Sequence, residues 1–336
     1  MIIEAISKIV DGIDLSKNEM INVMTEILKG ETTDAQIAAF ITSLRIKGET
    51  VEEIAGAVQV MRKMAIKVNT SAECVVDTCG TGGDAVNTFN ISTTAAFVAA
   101  GAGVTMAKHG NRSVSSQSGS ADVLKTLGVN INIDEKKIEQ CLNEIGIGFL
   151  FAPKLHGAMK YAIGPRREIK IRTIFNILGP LSNPAGAKNQ VIGVYDSKLT
   201  ATFARVLKDA GSDHVFVVHG KDGMDEITLT TKTCVAELKN GEIKEYEFNP
   251  KDYGFGLCET EDLLGGSPEE NAEITKSILS GARGPKRDIV ILNTAAAIIV
   301  SKKADDFSEA ISLAEKSIDS GEANQKLEKL IKLTQT

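Results

Sequence analysis

From the N-terminus to about residue 70, apolar positions recur three and four apart, as in Ile21, Met24, Ile27, Leu28 and again Ile37, Phe40, Ile41, Leu44, with no strong β-run among them. That spacing gathers the apolar side chains on one helical face, so this part of the chain is expected to be all-helical. Thr32, Thr33 and Asp34 form an N-cap cluster before "AQIAAFITSLRIKG" and Gly48 stops that helix; "ETVEEIAGAVQVMRKMA" begins the next with acids in its first turn. From Cys74 the texture changes to short β-rich runs, "CVVDT", "VTMAKHG", "IGFLFAP", "QVIGVYD" and "HVFVVHG", each followed by a helical stretch. Parallel neighbours need crossovers of that length, so the alternation predicts an α/β fold with a mainly parallel central sheet.

Between the third and fourth runs lies "KLHGAMKYAIGPRREIKIRTIFNILGPLSNPAG", helical in pattern and bounded by Gly and Pro, which is expected to rejoin the first helical segment. The expected organisation is a small helical domain (1–72, resumed at 153–187) and a larger α/β domain (73–152 and 188–336). Further on, "EITLTTKTCVAELKNGEIKEYEF" alternates polar and apolar residues around Asn240-Gly241, a hairpin turn signal. There is no internal repeat and no low-complexity segment.

Composition narrows the function. A formal charge of −6 over 336 residues gives no global field for a polyanion, and aromatics at 4% with no Trp leave few stacking platforms, so extended nucleic-acid binding is disfavoured. No apolar run reaches the length of a membrane span, since "AAFVAAGAGVTMA" is short and broken by glycines. Five cysteines and no apolar segment after Met1 suggest reduced thiols in a cytoplasm.

The chemistry concentrates after two of the β-runs. "CGTGGDAVNTFNIST" places three glycines, Asp84 and a row of small polar residues between a strand and a helix. Glycines let a bulky group approach backbone N–H donors, and a helix start adds further donors and a positive dipole end, which together suit phosphate. Asn90, Ser92, Thr93 and Thr94 add side-chain donors and oxygens, and Asp84 a carboxylate for a metal-bound water or a sugar hydroxyl. The glycine spacing matches neither G-x-x-x-x-G-K-[ST] nor G-x-G-x-x-G. A glycine turn that merely caps a helix is the plain alternative. Against it stands "MAKHGNRSVSSQSGSADVL" at the end of the next run, where Lys108, Asn111, Arg112, Ser115, Ser116 and Ser120 offer charge-assisted and neutral contacts. Two consecutive strand ends of like chemistry belong to one pocket at the carboxyl edge of an α/β sheet.

"CGTGGD", "NTFNIST", "KHGNRSVSSQSGSADVL", "RTIFNILGPLSNPA" and "GMDEIT", in this order along nearly the whole chain, resemble the anthranilate phosphoribosyltransferase family. The resemblance implies a nucleoside phosphorylase/phosphoribosyltransferase-like fold. It also implies the third step of the tryptophan branch, in which anthranilate displaces pyrophosphate from phosphoribosyl pyrophosphate with Mg2+, and a homodimer formed through the helical part. It assigns Gly80, Gly83, Asp84, Thr88, Asn90, Ile91, Ser92, Thr93, Lys108, His109, Gly110, Asn111, Arg112, Ser113, Val114, Ser115, Ser116 and Ser120 to phosphoribosyl pyrophosphate. Gly80, Asn111 and Arg166 are assigned to anthranilate, and Ser92, Asp225 and Glu226 to the metal. No covalent nucleophile is expected, because the attacking amine belongs to the substrate.

Two departures from the family pattern stand out: Gly157 where proline is usual, and Lys170 where glycine is usual, both near the expected hinge and acceptor channel. His156 faces that channel, or is simply a packed or solvent-facing histidine. Cys74 and Cys79 have no C-x-x-C partner, which argues against zinc. One rival reading is a pyrimidine nucleoside phosphorylase, which would want a Lys-Ser-Gly-Arg style loop in place of "KHGNRSVSS". The other is a non-catalytic nucleic-acid-binding relative, which would want eroded site motifs and a basic surface.

Overall fold

The computed structural model describes residues 1–83, 86–112 and 118–336. Its N-terminal part is a bundle of α1 (Ile2–Val10), α2 (Lys17–Lys29), α3 (Asp34–Lys47) and α4 (Val51–Met64). Capping boxes start three of them, with Ser16 and Glu19, Thr33 and Gln36, and Thr50 and Glu53 each exchanging bonds between side chain and backbone. Glycines in the left-handed region stop two, Gly30 at φ 77° and Gly48 at φ 90°. Glu53 is fully buried where α4 meets the loop before α2, and it accepts from Leu15 N (2.9 Å), Thr50 N (2.8 Å) and Lys47 Nζ (3.0 Å). A buried charge so fully satisfied holds the helix starts in register.

The second part alternates β1 (Val75–Gly80), α5 (Ile91–Gly101), β2 (Thr105–Gly110), α6 (Ser120–Thr126), α7 (Glu135–Ile145) and β3 (Ile147–Phe151). Next come α8 (Ala152–Leu155), α9 (Lys160–Ile169) and α10 (Phe175–Leu178), with α9 packed across α2 and α3. The chain then returns to β4 (Asn189–Gly193), α11 (Lys198–Asp209) and β5 (His214–Gly220). A hairpin of β6 (Thr233–Lys239) and β7 (Glu242–Phe248) follows, and α12 (Pro268–Leu279), α13 (Pro285–Val300), α14 (Phe307–Asp319) and α15 (Glu322–Gln335) close the chain.

The seven strands lie in the order β3-β2-β1-β4-β5-β6-β7, parallel through β5 and antiparallel in the hairpin, whose Asn240 and Gly241 both have positive φ. The pleat sorts the core. Val191, Phe216 and Val218 face the layer of α5 and α12–α15, while Ile192, Val215 and Val217 face α11 and the helical bundle. β1 pairs with β2 on one side and β4 on the other, so strand order reverses between β1 and β4 and opens a crevice at their carboxyl ends.

Candidate active site

β1 runs out at Gly80, where a Cβ would collide with Oδ2 of Asp225. The backbone then turns through Gly82 (φ 65°) and Gly83 (φ 73°), angles that side chains with a Cβ rarely take. Thr81 anchors the turn to the next strand: its N–H donates to the Gly193 carbonyl (2.9 Å) and its Oγ1 accepts from Tyr195 N (3.1 Å). Gly82 is held on both sides of its Cα, its N–H donating to Asp225 Oδ2 (2.8 Å) and its carbonyl accepting from Arg172 Nη2 (3.0 Å). At Gly83 a Cβ would run into the Arg172 guanidinium.

The start of α5 completes this edge. Ser92 N–H donates to Glu226 Oε1 (3.2 Å), so both acids of "GMDEIT" land on the glycine turn and the helix N-terminus across more than 130 residues of chain. Lys108, buried under the turn, donates to the Thr78 carbonyl and to Ser92 Oγ (3.3 Å). Asn90 makes no side-chain cap; its Oδ1 accepts from Asn271 Nδ2 (3.0 Å) and its Nδ2 donates to the Ser118 carbonyl (3.3 Å). Thr88 pairs with Leu264 in an isolated bridge. The side chains of Ile91 and Thr93 point into the core, and Thr93 Oγ1 has no partner among the described residues. Only their backbones are available at the site.

At the end of β2, His109 N–H donates to Oδ1 of buried Asp77 (2.9 Å), and the His109 ring sits 5.2 Å from the ring of His156. Both rings are buried, with no partner for either Nε2 among the described residues. Burial lowers His109 to about 3, helped by His156 and Lys108; burial and then Lys67 lower His156 to about 4. Both are therefore neutral near pH 7, and His156 packs. Gly110 is bare because a Cβ would strike Ser120 Oγ and the Phe149 ring. Asn111 and Arg112 are exposed, and the Asn111 carbonyl accepts from Ser120 Oγ (3.2 Å). Asp84, Ser113, Val114, Ser115 and Ser116 lie outside the described residues.

Arg166, in the last turn of α9, is half-buried against the Phe175 ring (5.5 Å) and pairs with no carboxylate among the described residues. No hydrogen bond joins it to Gly80 or Asn111 in that set. Gly80, Gly82, Gly83, Ser92, Lys108, Asp225 and Glu226 thus form one cluster, with Arg166 on a separate arm.

The donor set at Ser92, Asp225 and Glu226 is of hard oxygens, as magnesium requires. Among the described residues no three His, Cys, Asp or Glu side chains gather into a metal cage. Burial pushes the Asp225 carboxyl up, while the Gly82 N–H and the charges of Arg172 and Lys108 pull it down. Cys79 Sγ is buried over the Pro180 carbonyl (3.9 Å), its thiol pushed far up by burial.

Sequence reasoning passed over three of these groups. Arg172 belongs to the quoted "RTIFNILGPLSNPA" and to a cationic run, a signal that could have singled it out. Asp77 lies inside "CVVDT", where an acid in a buried strand is itself a flag. Asn271 is 181 positions from Asn90 and carries no local signal.

Comparison with known proteins follows the same lines. Two family models match: the helical bundle domain of the glycosyl transferase family over residues 3–65, and its a/b domain over residues 72–324. The anthranilate phosphoribosyltransferase of Acetivibrio thermocellus is 55% identical over 334 residues, covering 99% of this chain and 97% of that one. Among solved structures, anthranilate phosphoribosyltransferase from Thermus thermophilus superposes with a TM-score of 0.93 at 37% identity, over 99% of each chain. The Saccharomyces cerevisiae protein, in complex with PRPP and Mg, superposes with a TM-score of 0.90 at 30% identity, over 99% of this chain and 98% of that one.

Proposed function

Because the chain belongs to the anthranilate phosphoribosyltransferase family, we propose a division of labour among its residues for that reaction. The chain is a phosphoribosyltransferase of tryptophan biosynthesis: the anthranilate amine displaces pyrophosphate from phosphoribosyl pyrophosphate. The amine lone pair forms the N–C1 bond, the C1–O bond breaks with its electron pair leaving on pyrophosphate, and the amine gives up a proton. No side-chain nucleophile enters this balance.

In our reading the diphosphate lies against the Gly82–Gly83 turn and the first turn of α5. The observation that carries this is the docking of Asp225 on Gly82 N–H and of Glu226 on Ser92 N–H, which marks these donors as an anion-accepting edge. Ser92, Asp225 and Glu226 would hold magnesium, which when bound neutralises charge on the leaving pyrophosphate. Lys108 adds a fixed positive charge beneath the turn, so that charge developing on the leaving group meets preorganised donors. Arg166 offers its guanidinium fork to the anthranilate carboxylate, and its freedom from carboxylate partners among the described residues supports that role. Positioning of the amine against C1 then supplies much of the rate.

Exposed Ile3 and Val10 on α1, Ile46 on α3 and Ile163 on α9 support a homodimer through the helical part. Five free cysteines support a reducing, cytoplasmic setting. The decisive assay follows anthranilate fluorescence with and without phosphoribosyl pyrophosphate, and with magnesium or a chelator. Consumption only when donor and metal are both present is expected; donor-independent consumption, or product from uridine and inorganic phosphate, would sink the reading.

A further inference from the structure

Arg172 belongs to neither the glycine turn nor the acids, yet it touches both Gly82 and Gly83. It sits between α9 and α10, on the arm that carries Arg166 six residues earlier. One face of its guanidinium lies over the Tyr195 ring at 4.3 Å, and Tyr195 is itself tied to the turn through Thr81 Oγ1. Its Nη2 donates to the carbonyl of Gly82, the residue whose own N–H is held by Asp225. The guanidinium also fills the volume that any residue but glycine would need at position 83. Finally, Nη1 is buried and has no partner among the described residues, and it lies 3.1 Å from where a Cβ of Gly83 would be.

A surface arginine would keep its donors in water. This one gives one donor to the carbonyl of a positive-φ glycine, stacks its plane on an aromatic ring and leaves another donor dry beside the turn. We propose that Arg172 is a positioning residue: it fixes the Gly82–Gly83 turn in its donor-receiving shape and couples that turn to the arm bearing Arg166. Loss of the clamp then weakens use of both substrates. The two peptide planes that meet at Gly82, Thr81–Gly82 held at its N–H by Asp225 and Gly82–Gly83 held at its carbonyl by Arg172, are the elements that carry the coupling. When a diphosphate oxygen takes the Gly82 N–H in place of Asp225, the Arg172 anchor keeps the next plane from rotating and so holds the Gly83 N–H in its direction, and Nη1, unpartnered among the described residues, gains an acceptor at the same edge.

This inference rests on the phosphoribosyl transfer reading, so the wild-type full chain is assayed first; absence of turnover there sinks that reading, not this one. Steady-state rates with each substrate varied are then measured for Arg172→Ala, Arg172→Gln, Arg172→Lys and Arg166→Ala, with thermal unfolding of each. Arg172→Ala is expected to raise the KM for phosphoribosyl pyrophosphate about tenfold or more, the scale of one charge-assisted hydrogen bond. It should raise the anthranilate KM as well, with little change in unfolding temperature. Arg172→Gln, which keeps a neutral donor for the Gly82 carbonyl, should recover part of the phosphoribosyl pyrophosphate KM, and Arg166→Ala should raise the anthranilate KM alone. No change in either KM for Arg172→Ala overturns the proposal, as does a rise confined to anthranilate. If the alanine variant fails to fold, the Gln and Lys variants decide: a Gln variant with wild-type KM values for both substrates, or a Lys variant indistinguishable from wild type beside an inactive Gln variant, overturns the peptide clamp.

Discussion

At Gly83 two constraints coincide: a φ of 73°, and a guanidinium in the place of the missing side chain. Valine there pays the left-handed penalty of about 1–2 kcal/mol and displaces a charge-assisted bond of about 1.5–3 kcal/mol, so turnover should fall by about two orders of magnitude or more. Valine at Gly211 has the same backbone problem at φ 77° but meets nothing within 4 Å, so it should lower thermal stability and spare activity. Initial rates and unfolding curves of the two variants separate the effects; near-normal turnover in Gly83→Val would return the turn to a mere helix entry. Asp225→Asn poses a different question, since an amide oxygen can still accept from Gly82 N–H while the hard charged ligand is gone. Its activity should collapse at limiting magnesium and recover in part at high magnesium. A wild-type rate at every magnesium level would remove Asp225 from the metal.

The elements were largely legible because each carries its own local signal. Capping boxes opened α2, α3 and α4, and the β-rich runs became β1 to β5 because strands buried on both faces read as continuous apolar stretches. Asn240-Gly241 turned the hairpin. What the sequence hides is pairing at long range. Nothing local says that β1 lies beside β4, that Asp225 closes on Gly82, or that Asn271 reaches Asn90, since each joins residues more than a hundred positions apart. The family departures also acquire a physical meaning. Lys170 ends α9 in the left-handed region at φ 51°, a position glycine fills without strain. Lys170→Gly should therefore raise stability by about 0.5–1 kcal/mol after the larger chain entropy of glycine is counted. Gly157 has φ outside the left-handed region and nothing within 4 Å of a Cβ, so Gly157→Ala should gain about 0.4–1 kcal/mol. Denaturant midpoints measure both; a loss in either would mean that hinge strain, rather than backbone preference, sets the residue.

For the molecule as a whole, the helical part and the α/β part meet at residues buried from both sides. The exposed aliphatics of α1, α3 and α9 predict an assembly near twice the 35.8 kDa chain mass by sedimentation, with Ile46→Glu shifting it toward monomer. A monomeric wild type would contradict this. The junction itself should respond to acid. His109, at the end of β2, and His156, after α8, face each other in the interior with Lys108 and Lys67 nearby, and both fold as neutral rings. Unfolded, each histidine takes up a proton below about pH 6.5. Folded, they do so only near 3 and 4. Between those limits the unfolded chain binds more protons, so stability falls as pH drops, by about 1.4 kcal/mol per pH unit for each ring, and levels off below the folded values. Carboxylates held in ion pairs add acid sensitivity of their own, so the contribution of the rings is read as a difference. His109→Gln with His156→Gln removes both titrations and leaves those carboxylates in place. Unfolding free energy measured from pH 6.5 to 4.5 should fall less steeply in the double variant than in the wild type. Parallel slopes would show that the rings already bind protons in the folded state, and that the junction is wetter than its burial implies.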